Sequence, residues 1–183
     1  MNDLFSINNK IIIITGGSGG IGSELSNKMS EQGAIIYSLD KKFSKMRKNS
    51  KVIQKKCNIL NKNQLKKVCK EIFEKHKKID VLINCAGITK SGKSGNEYST
   101  KDWRETIDVN LTGSFLTSQS VIKYMKKNKN GSIINITSIN AELGFPNNPA
   151  YVASKGGLKM LTKSLAKDNG KFGIRVNNLG PGY

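Results

Sequence analysis

Tyr151 and Lys155 stand four residues apart in a stretch that reads as a helix, so both side chains leave one face and can meet one ligand. That pairing has a chemical use. A phenol, with an ordinary pKa of about 10, is a poor base at neutral pH, and an ammonium beside it favours the phenolate. On spacing alone, Tyr and Lys at i and i+4 equally flank a solvated stripe. Ser138 adds weight, because it follows a predicted strand over residues 132–137 and its hydroxyl can bond a substrate oxygen that Tyr151 protonates. A second constellation lies near the N-terminus. Thr15-Gly16-Gly17-Ser18-Gly19-Gly20-Ile21-Gly22 falls between a β-branched run and an amphipathic helix. There bare glycine backbone lets a pyrophosphate approach and the helix start offers unpaired N–H donors. The spacing is not G-x-G-x-x-G and no G-K-S/T closes it, which disfavours a nucleotide-hydrolysing P-loop. Asp40 ends the next strand, 18 residues after Gly22, where a carboxylate can accept both adenosine ribose hydroxyls and repel a 2′-phosphate. This favours NAD, while Lys41, Lys42 and Arg47 leave NADP possible.

Other chemistries are disfavoured. His76 is the only histidine and sits in the lysine-rich run Lys75-His76-Lys77-Lys78, which reads as a solvated helix end rather than part of a hydrolytic triad. Cys57, Cys69 and Cys85 are too widely spaced for a metal pair or a disulfide framework, and no mixed cluster has metal-ligand spacing, so no metal is expected.

These residues need a scaffold that brings distant loops together. Residues 10–15 form a β-branched run and 34–39 an apolar one, both without polar alternation, as buried parallel strands are. Between them Ile21, Leu25 and Met29 recur at helical spacing, and Gly33 stands where a left-handed helix cap belongs. Residues 41–50 read as a short helix or loop, 52–57 as a third strand, 65–77 as a helix and 80–84 as a fourth strand. A long helix through Trp103, Ile107, Leu111, Phe115, Ile122 and Met125 follows, then strand 132–137, helix 149–167 and strand 174–179. Strands separated by helices imply right-handed crossovers and an α/β doubly wound parallel sheet, Rossmann-like, of six strands with helices on both faces. Ligands in such sheets bind outside the strand C-termini, where every candidate residue falls.

Taken together, the motifs resemble the classical short-chain dehydrogenase/reductase family: T-G-G-S-G-G-I-G at 15–22, N-C-A-G at 84–87, Val109-Asn110, Ser138, Tyr151-Val-Ala-Ser-Lys155, and Val176-Asn177 leading to Pro181-Gly182. The match spans residues 4–182. The resemblance implies an NAD(P)-dependent oxidoreductase acting on CH–OH groups. Tyr151 would donate or accept the proton, Ser138 would position the oxygen, Lys155 would bind the nicotinamide ribose, and Asn110 would hold a water relay. It also implies that Gly16, Ser18, Gly20, Ile21 and Gly22 surround the phosphates, Asn58 and Ile59 the adenine, Asn84, Ala86 and Gly87 its ribose, and Pro181 and Gly182 the nicotinamide, with Tyr151 and Lys155 also touching the cofactor. Two positions depart from the pattern: Cys85 replaces a usual Asn and Asn58 a usual Asp. Residues 4–6 and the 139–149 loop are similar to sugar-acid and polyol dehydrogenases. The alternatives are a 3-oxoacyl-carrier-protein reductase using NADPH and, from another class, a non-catalytic cofactor-sensing protein, which would have no reason to retain Ser, Tyr, Lys and Asn together. In the family, the helices carrying Trp103 and Tyr151 form a dimer bundle, so a homodimer or homotetramer is expected. Family members continue past a Pro-Gly like Pro181-Gly182 through a lid and a final strand, so the chain reads as C-terminally truncated, with strand 174–179 left as an edge.

The 183 residues suit one domain, residues 1–183. The formal net charge of +18 comes from 28 lysines and only three arginines, Arg47, Arg104 and Arg175. A lysine-only excess argues weakly for nucleic acid, since arginine is the residue that forks onto bases and phosphates, and a general Lys, Asn and Ile bias explains it as well. The start lacks a basic segment followed by an apolar one, and residues 11–14 are far too short to span a bilayer. A cytoplasmic protein with a small-molecule substrate and neither nucleic-acid nor membrane partner is the expectation.

Overall fold

The computed structural model describes residues 5–43, 51–90 and 92–182. Its elements in chain order are β1 (Ile11–Thr15), α1 (Gly20–Glu31), β2 (Ile35–Asp40), β3 (Val52–Lys56), α2 (Lys62–His76), β4 (Val81–Asn84), α3 (Thr100–Ile107), α4 (Gly113–Asn128), β5 (Gly131–Ile136), α5 (Pro149–Asn169) and β6 (Ile174–Leu179). All six strands are parallel, in the order β3-β2-β1-β4-β5-β6, and the order reverses between β1 and β4. That reversal is where a doubly wound sheet leaves a crevice. Most of the expectation for residues 41–50, including Arg47, falls on 44–50, outside the described residues.

β1 is the keel of the sheet, and its four isoleucines are at most 1% exposed. Alternation sends Ile11 and Ile13 to one face, with Leu65, Cys69 and Ile72 of α2, Met125 of α4 and Leu165 of α5. Ile12 and Ile14 face the other way, with Ile36 and the half-buried Leu25 and Met29 of α1. Burying each such side chain stabilises the fold by about 2 kcal/mol. Helices thus lie on both faces, but unevenly. β6 alternates, with Ile174 and Val176 buried and Arg175 and Asn177 exposed, because α5 covers one side of it and no described helix covers the other.

Three further features place the site. The expected long helix through Trp103 and Met125 is interrupted, since Asp108–Thr112 forms a π-helical turn between α3 and α4 that closes with Gly113 N–H donating to the Asp108 carbonyl. Inserting a wide turn re-aims the side chains within it, and Asn110 lies there. A row of asparagines, Asn84, Asn135 and Asn178, occupies neighbouring positions on β4, β5 and β6. Asn84 Nδ2 donates to Asn135 Oδ1 (2.8 Å) and Ser118 Oγ (3.0 Å), Asn135 Nδ2 donates to Thr162 Oγ1 (2.7 Å), and Thr162 Oγ1 bonds Asn178 Oδ1 (2.7 Å). This chain, buried up to Thr162 and ending at the exposed Asn178, pins the strand ends to α4 and α5. His76 ends α2 as expected, but half-buried rather than fully solvated: its Nε2 is 2.8 Å from the hydroxyl of buried Tyr37, and burial lowers its pKa, with Lys75 and Lys78 acting in the same direction.

Candidate active site

The glycine turn is built by backbone close approach. Gly16 has φ +66°, and a Cβ there would lie 2.6 Å from the Ala86 Cα; a Cβ on Gly22 would lie 2.3 Å from the Gly16 carbonyl oxygen. Both positions exclude any larger residue. Thr15 Oγ1 accepts from the N–H groups of Cys85 (3.1 Å) and Ala86 (3.2 Å), locking the end of β1 to the end of β4. α1 follows Gly19, which supplies no side-chain cap, and has no acid in its first turn, so its first N–H groups stay open to an anion.

Above this turn lies a cavity of about 480 Å³ lined by Gly16, Gly20, Ile21, Gly22, Asp40, Ile59, Ala86 and Gly87 among the expected residues. Asp40 is held rigidly: Oδ2 accepts Ser18 N–H (3.1 Å) and Oδ1 accepts Lys41 N–H (2.7 Å). Three of the residues expected around the phosphates and the adenosine do not line this cavity. The Ser18 hydroxyl turns away to the Lys42 carbonyl (2.6 Å), leaving only its backbone in the turn. Asn58 Oδ1 accepts Leu60 N–H (3.1 Å), an Asx turn that occupies the amide oxygen the sequence offered to adenine. Asn84 is interior, 2% exposed, in the asparagine row. Leu39, Cys57, Ile88 and Val109 line the cavity without having been singled out for it, because apolar lining carries no spacing signal.

A second cavity, about 550 Å³, adjoins the first through Ile21, Cys85, Gly87 and Ile88. Ser138, Tyr151, Lys155, Pro181 and Gly182 all line it. Ser138 Oγ accepts Asn140 N–H (3.2 Å), so its own proton remains free to donate. Lys155 is 5% exposed, its Nζ donates to the Ile136 carbonyl (2.7 Å) and lies 5.5 Å from the Tyr151 ring centre. Burial pushes the Lys155 pKa down to about 8, and Cys85 opposes this slightly. Burial raises the Cys85 thiol, with Lys155 pulling the other way.

Asn110 does not line either cavity and works from beneath. It is fully buried; Oδ1 accepts Ile88 N–H (2.8 Å), and Nδ2 donates to the Ile88 carbonyl (2.9 Å) and to Ser154 Oγ (3.0 Å). It therefore splints the loop after β4 to the helix that carries Tyr151 and Lys155. Gly87 packs on both: a Cβ there would stand 3.4 Å from Asn110 Oδ1 and 3.6 Å from Lys155 Nζ. Thr89, Asn140, Phe145 and Asn148 are among the other residues that line the second cavity. Asn140 stands two residues after Ser138 and Asn148 three before Tyr151, proximities visible in the sequence but not distinguishable there from loop composition.

Among the described residues, no helix is long and apolar enough to cross a membrane, and no group of three His, Cys, Asp or Glu side chains is placed to hold a metal. The family model for short chain dehydrogenases matches residues 10–183. The chain is 35% identical to a 2-dehydro-3-deoxy-D-gluconate 5-dehydrogenase of Formosa agariphila, covering 99% of this chain and 72% of that protein. It is likewise 35% identical to a 3-oxoacyl-acyl-carrier-protein reductase of Thermotoga maritima, over 95% of this chain and 74% of that one. The crystal structure of a gluconate 5-dehydrogenase from Burkholderia cenocepacia in complex with NADP and tartrate superposes with a TM-score of 0.89 at 30% identity, covering 98% of this chain and 73% of that one. With the glycine turn opening into a cavity where Ser138, Tyr151 and Lys155 meet, the chain belongs to the short chain dehydrogenases, NAD(P)-dependent oxidoreductases acting on CH–OH groups.

Proposed function

We propose that this protein interconverts a secondary alcohol and a carbonyl on a sugar acid or polyol, with NAD preferred over NADP. The observation that carries the reading is the meeting of Ser138, Tyr151 and Lys155 at one cavity that opens into the glycine-turn cavity. A bound nicotinamide supplies the acceptor or donor of the hydride. The residues of the chain do the rest. The Ser138 hydroxyl, already accepting from Asn140, donates to the reacting oxygen and holds it for Tyr151. Tyr151 gives its proton to a carbonyl or takes one from an alcohol. Lys155, whose Nζ donates to the Ile136 carbonyl (2.7 Å) and lies 5.5 Å from the Tyr151 ring centre, would hold the nicotinamide ribose beside Tyr151. Asn110, whose main-chain carbonyl accepts from Ser114 Oγ (2.9 Å), would hold the relay water. In the first cavity the open N–H groups of α1 would hold the pyrophosphate, and Asp40 would accept the adenosine ribose hydroxyls and repel a 2′-phosphate. Ser18, Asn58 and Asn84 act through the backbone or the packing around these contacts.

The gluconate-type relative and the tartrate-bound neighbour support a hydroxylated substrate. The same geometry serves a 3-oxoacyl-carrier-protein reductase, the activity of the Thermotoga relative, but the carboxamides lining the second cavity favour the hydroxylated one. Half-exposed Trp103, Phe115 and Met160 on α3, α4 and α5 support self-association as a homodimer or homotetramer, and the unpaired buried thiols suit the cytoplasm. Tyr151→Phe tests the assignment: it should bind NADH as the parent does and lose about 10²–10⁴-fold in turnover. Retained turnover would sink it.

A further inference from the structure

The second cavity holds two polar groups that the mechanism leaves unused. Asn140 (6% exposed) and Asn148 (8%) both line it, and each keeps a carboxamide oxygen, shut from solvent, with no hydrogen-bond partner among the described residues. Burying an acceptor without a donor is costly, and native structures rarely leave two in one pocket wall. Both residues are well placed. Asn140 N–H holds Ser138 Oγ at 3.2 Å. Asn148 precedes α5 by one residue, three before Tyr151, and its Nδ2 donates to Thr89 Oγ1 (2.8 Å). A second tie, Gly92 N–H to the Asn147 carbonyl (3.0 Å), holds the loop after β4 against the loop before α5. The one charged side chain among the described lining residues is Lys155.

We propose that Asn140 and Asn148 select the substrate by accepting hydrogen bonds from hydroxyl groups on carbons beside the reacting one. This rests on the sugar-acid or polyol reading above and sharpens it to a requirement for at least two hydroxyls besides the reacting group. What these two oxygens lack is a donor. A carboxylate or a thioester only accepts, whereas a hydroxyl donates and accepts, and so meets a carboxamide whichever way it turns about its soft Cβ–Cγ torsion. The proposal requires such a turn on substrate binding, since both oxygens are closed from solvent as the side chains stand, and the Thr89 hydroxyl, now accepting from Asn148 Nδ2 (2.8 Å), can bond the amide in either orientation.

The test uses the protein with NAD(H) or NADP(H) and three probes: D-gluconate, xylitol, and ethyl acetoacetate, a ketone without hydroxyls. Asn140→Leu and Asn148→Leu should each lower kcat/KM for a hydroxylated probe about tenfold, as expected for a lost substrate hydrogen bond, with ethyl acetoacetate reduction and NADH affinity changed less than about twofold. Unchanged use of the hydroxylated probes, an equal loss on ethyl acetoacetate, or loss of NADH binding would each overturn the proposal, the last two by assigning the asparagines to the fold. A parent protein that reduces ethyl acetoacetate but neither binds nor turns over gluconate or xylitol would overturn the underlying sugar-acid or polyol reading instead. Failure to bind or turn over any of the three overturns both.

Discussion

Lys155→Met should make this protein inactive and more stable at the same time. The ammonium of Lys155 is 5% exposed, and burial lowers its pKa from 10.5 to about 8, with Cys85 opposing slightly. At ~1.4 kcal/mol per pKa unit, a shift of this size means that the folded state carries a cost of about 3 kcal/mol for holding the charge. The cost is fully present below pH 8, where folded and unfolded chains are both protonated. It fades as pH rises from about 8 to 10.5, because there the folded lysine has lost a proton that the unfolded one still binds, so stability climbs with pH. Methionine fills the same space without the charge. It leaves the Ile136 carbonyl without the 2.7 Å bond, a loss of about 1 kcal/mol, so the net gain at pH 7 is about 2 kcal/mol. For a chain of this size that raises Tm by about 4–8 °C. Thermal and urea unfolding of the two proteins at pH 7 and pH 10 measures it: the gap should be wide at pH 7 and close toward pH 10. A variant less stable than the parent at pH 7, or a gap independent of pH, refutes the argument that Lys155 is held at a cost for function.

Other perturbations follow from the same geometry. Asp40→Ala removes the fixed carboxylate beside Lys41 and Lys42, and should shift the NADPH-to-NADH affinity ratio toward NADPH by about tenfold, ~1.4 kcal/mol, in fluorescence titration. Gly22→Ala sets a Cβ 2.3 Å from the Gly16 carbonyl, backbone that cannot swing aside; the variant should lose about 1–3 kcal/mol in urea unfolding and bind NADH far more weakly. Replacement of Tyr151 by Phe separates binding from turnover, and the Asn140 and Asn148 variants separate hydroxylated from bare substrates.

Much of this molecule is decided locally. Five consecutive buried positions in β1 need only an uninterrupted apolar run, and Tyr151 and Lys155 share a face because a helix turns every 3.6 residues. The glycine turn, its helix and Asp40 are legible for the same reason, since strand, turn and helix are contiguous. Long-range placement is not contiguous. Whether Ser18, Asn58 and Asn84 reach the cavity depends on which way each side chain turns. Ser18 turns to the Lys42 carbonyl, Asn58 to Leu60 and Asn84 into a row completed by Asn135 and Asn178, two strands that spacing cannot set in register. The wide turn at Asp108–Thr112 breaks no apolar periodicity, so the helix reads as continuous although Asn110 must be re-aimed to reach Ile88 and Ser154. The amino-acid sequence by itself determined the strands, the helices and the reacting groups, because hydrophobic period and glycine backbone act over a few residues. Only the tertiary structure decided that Ser138, Tyr151 and Lys155 share a cavity with Asn140 and Asn148, because that depends on parallel strands stacking in register and two loops meeting across their ends.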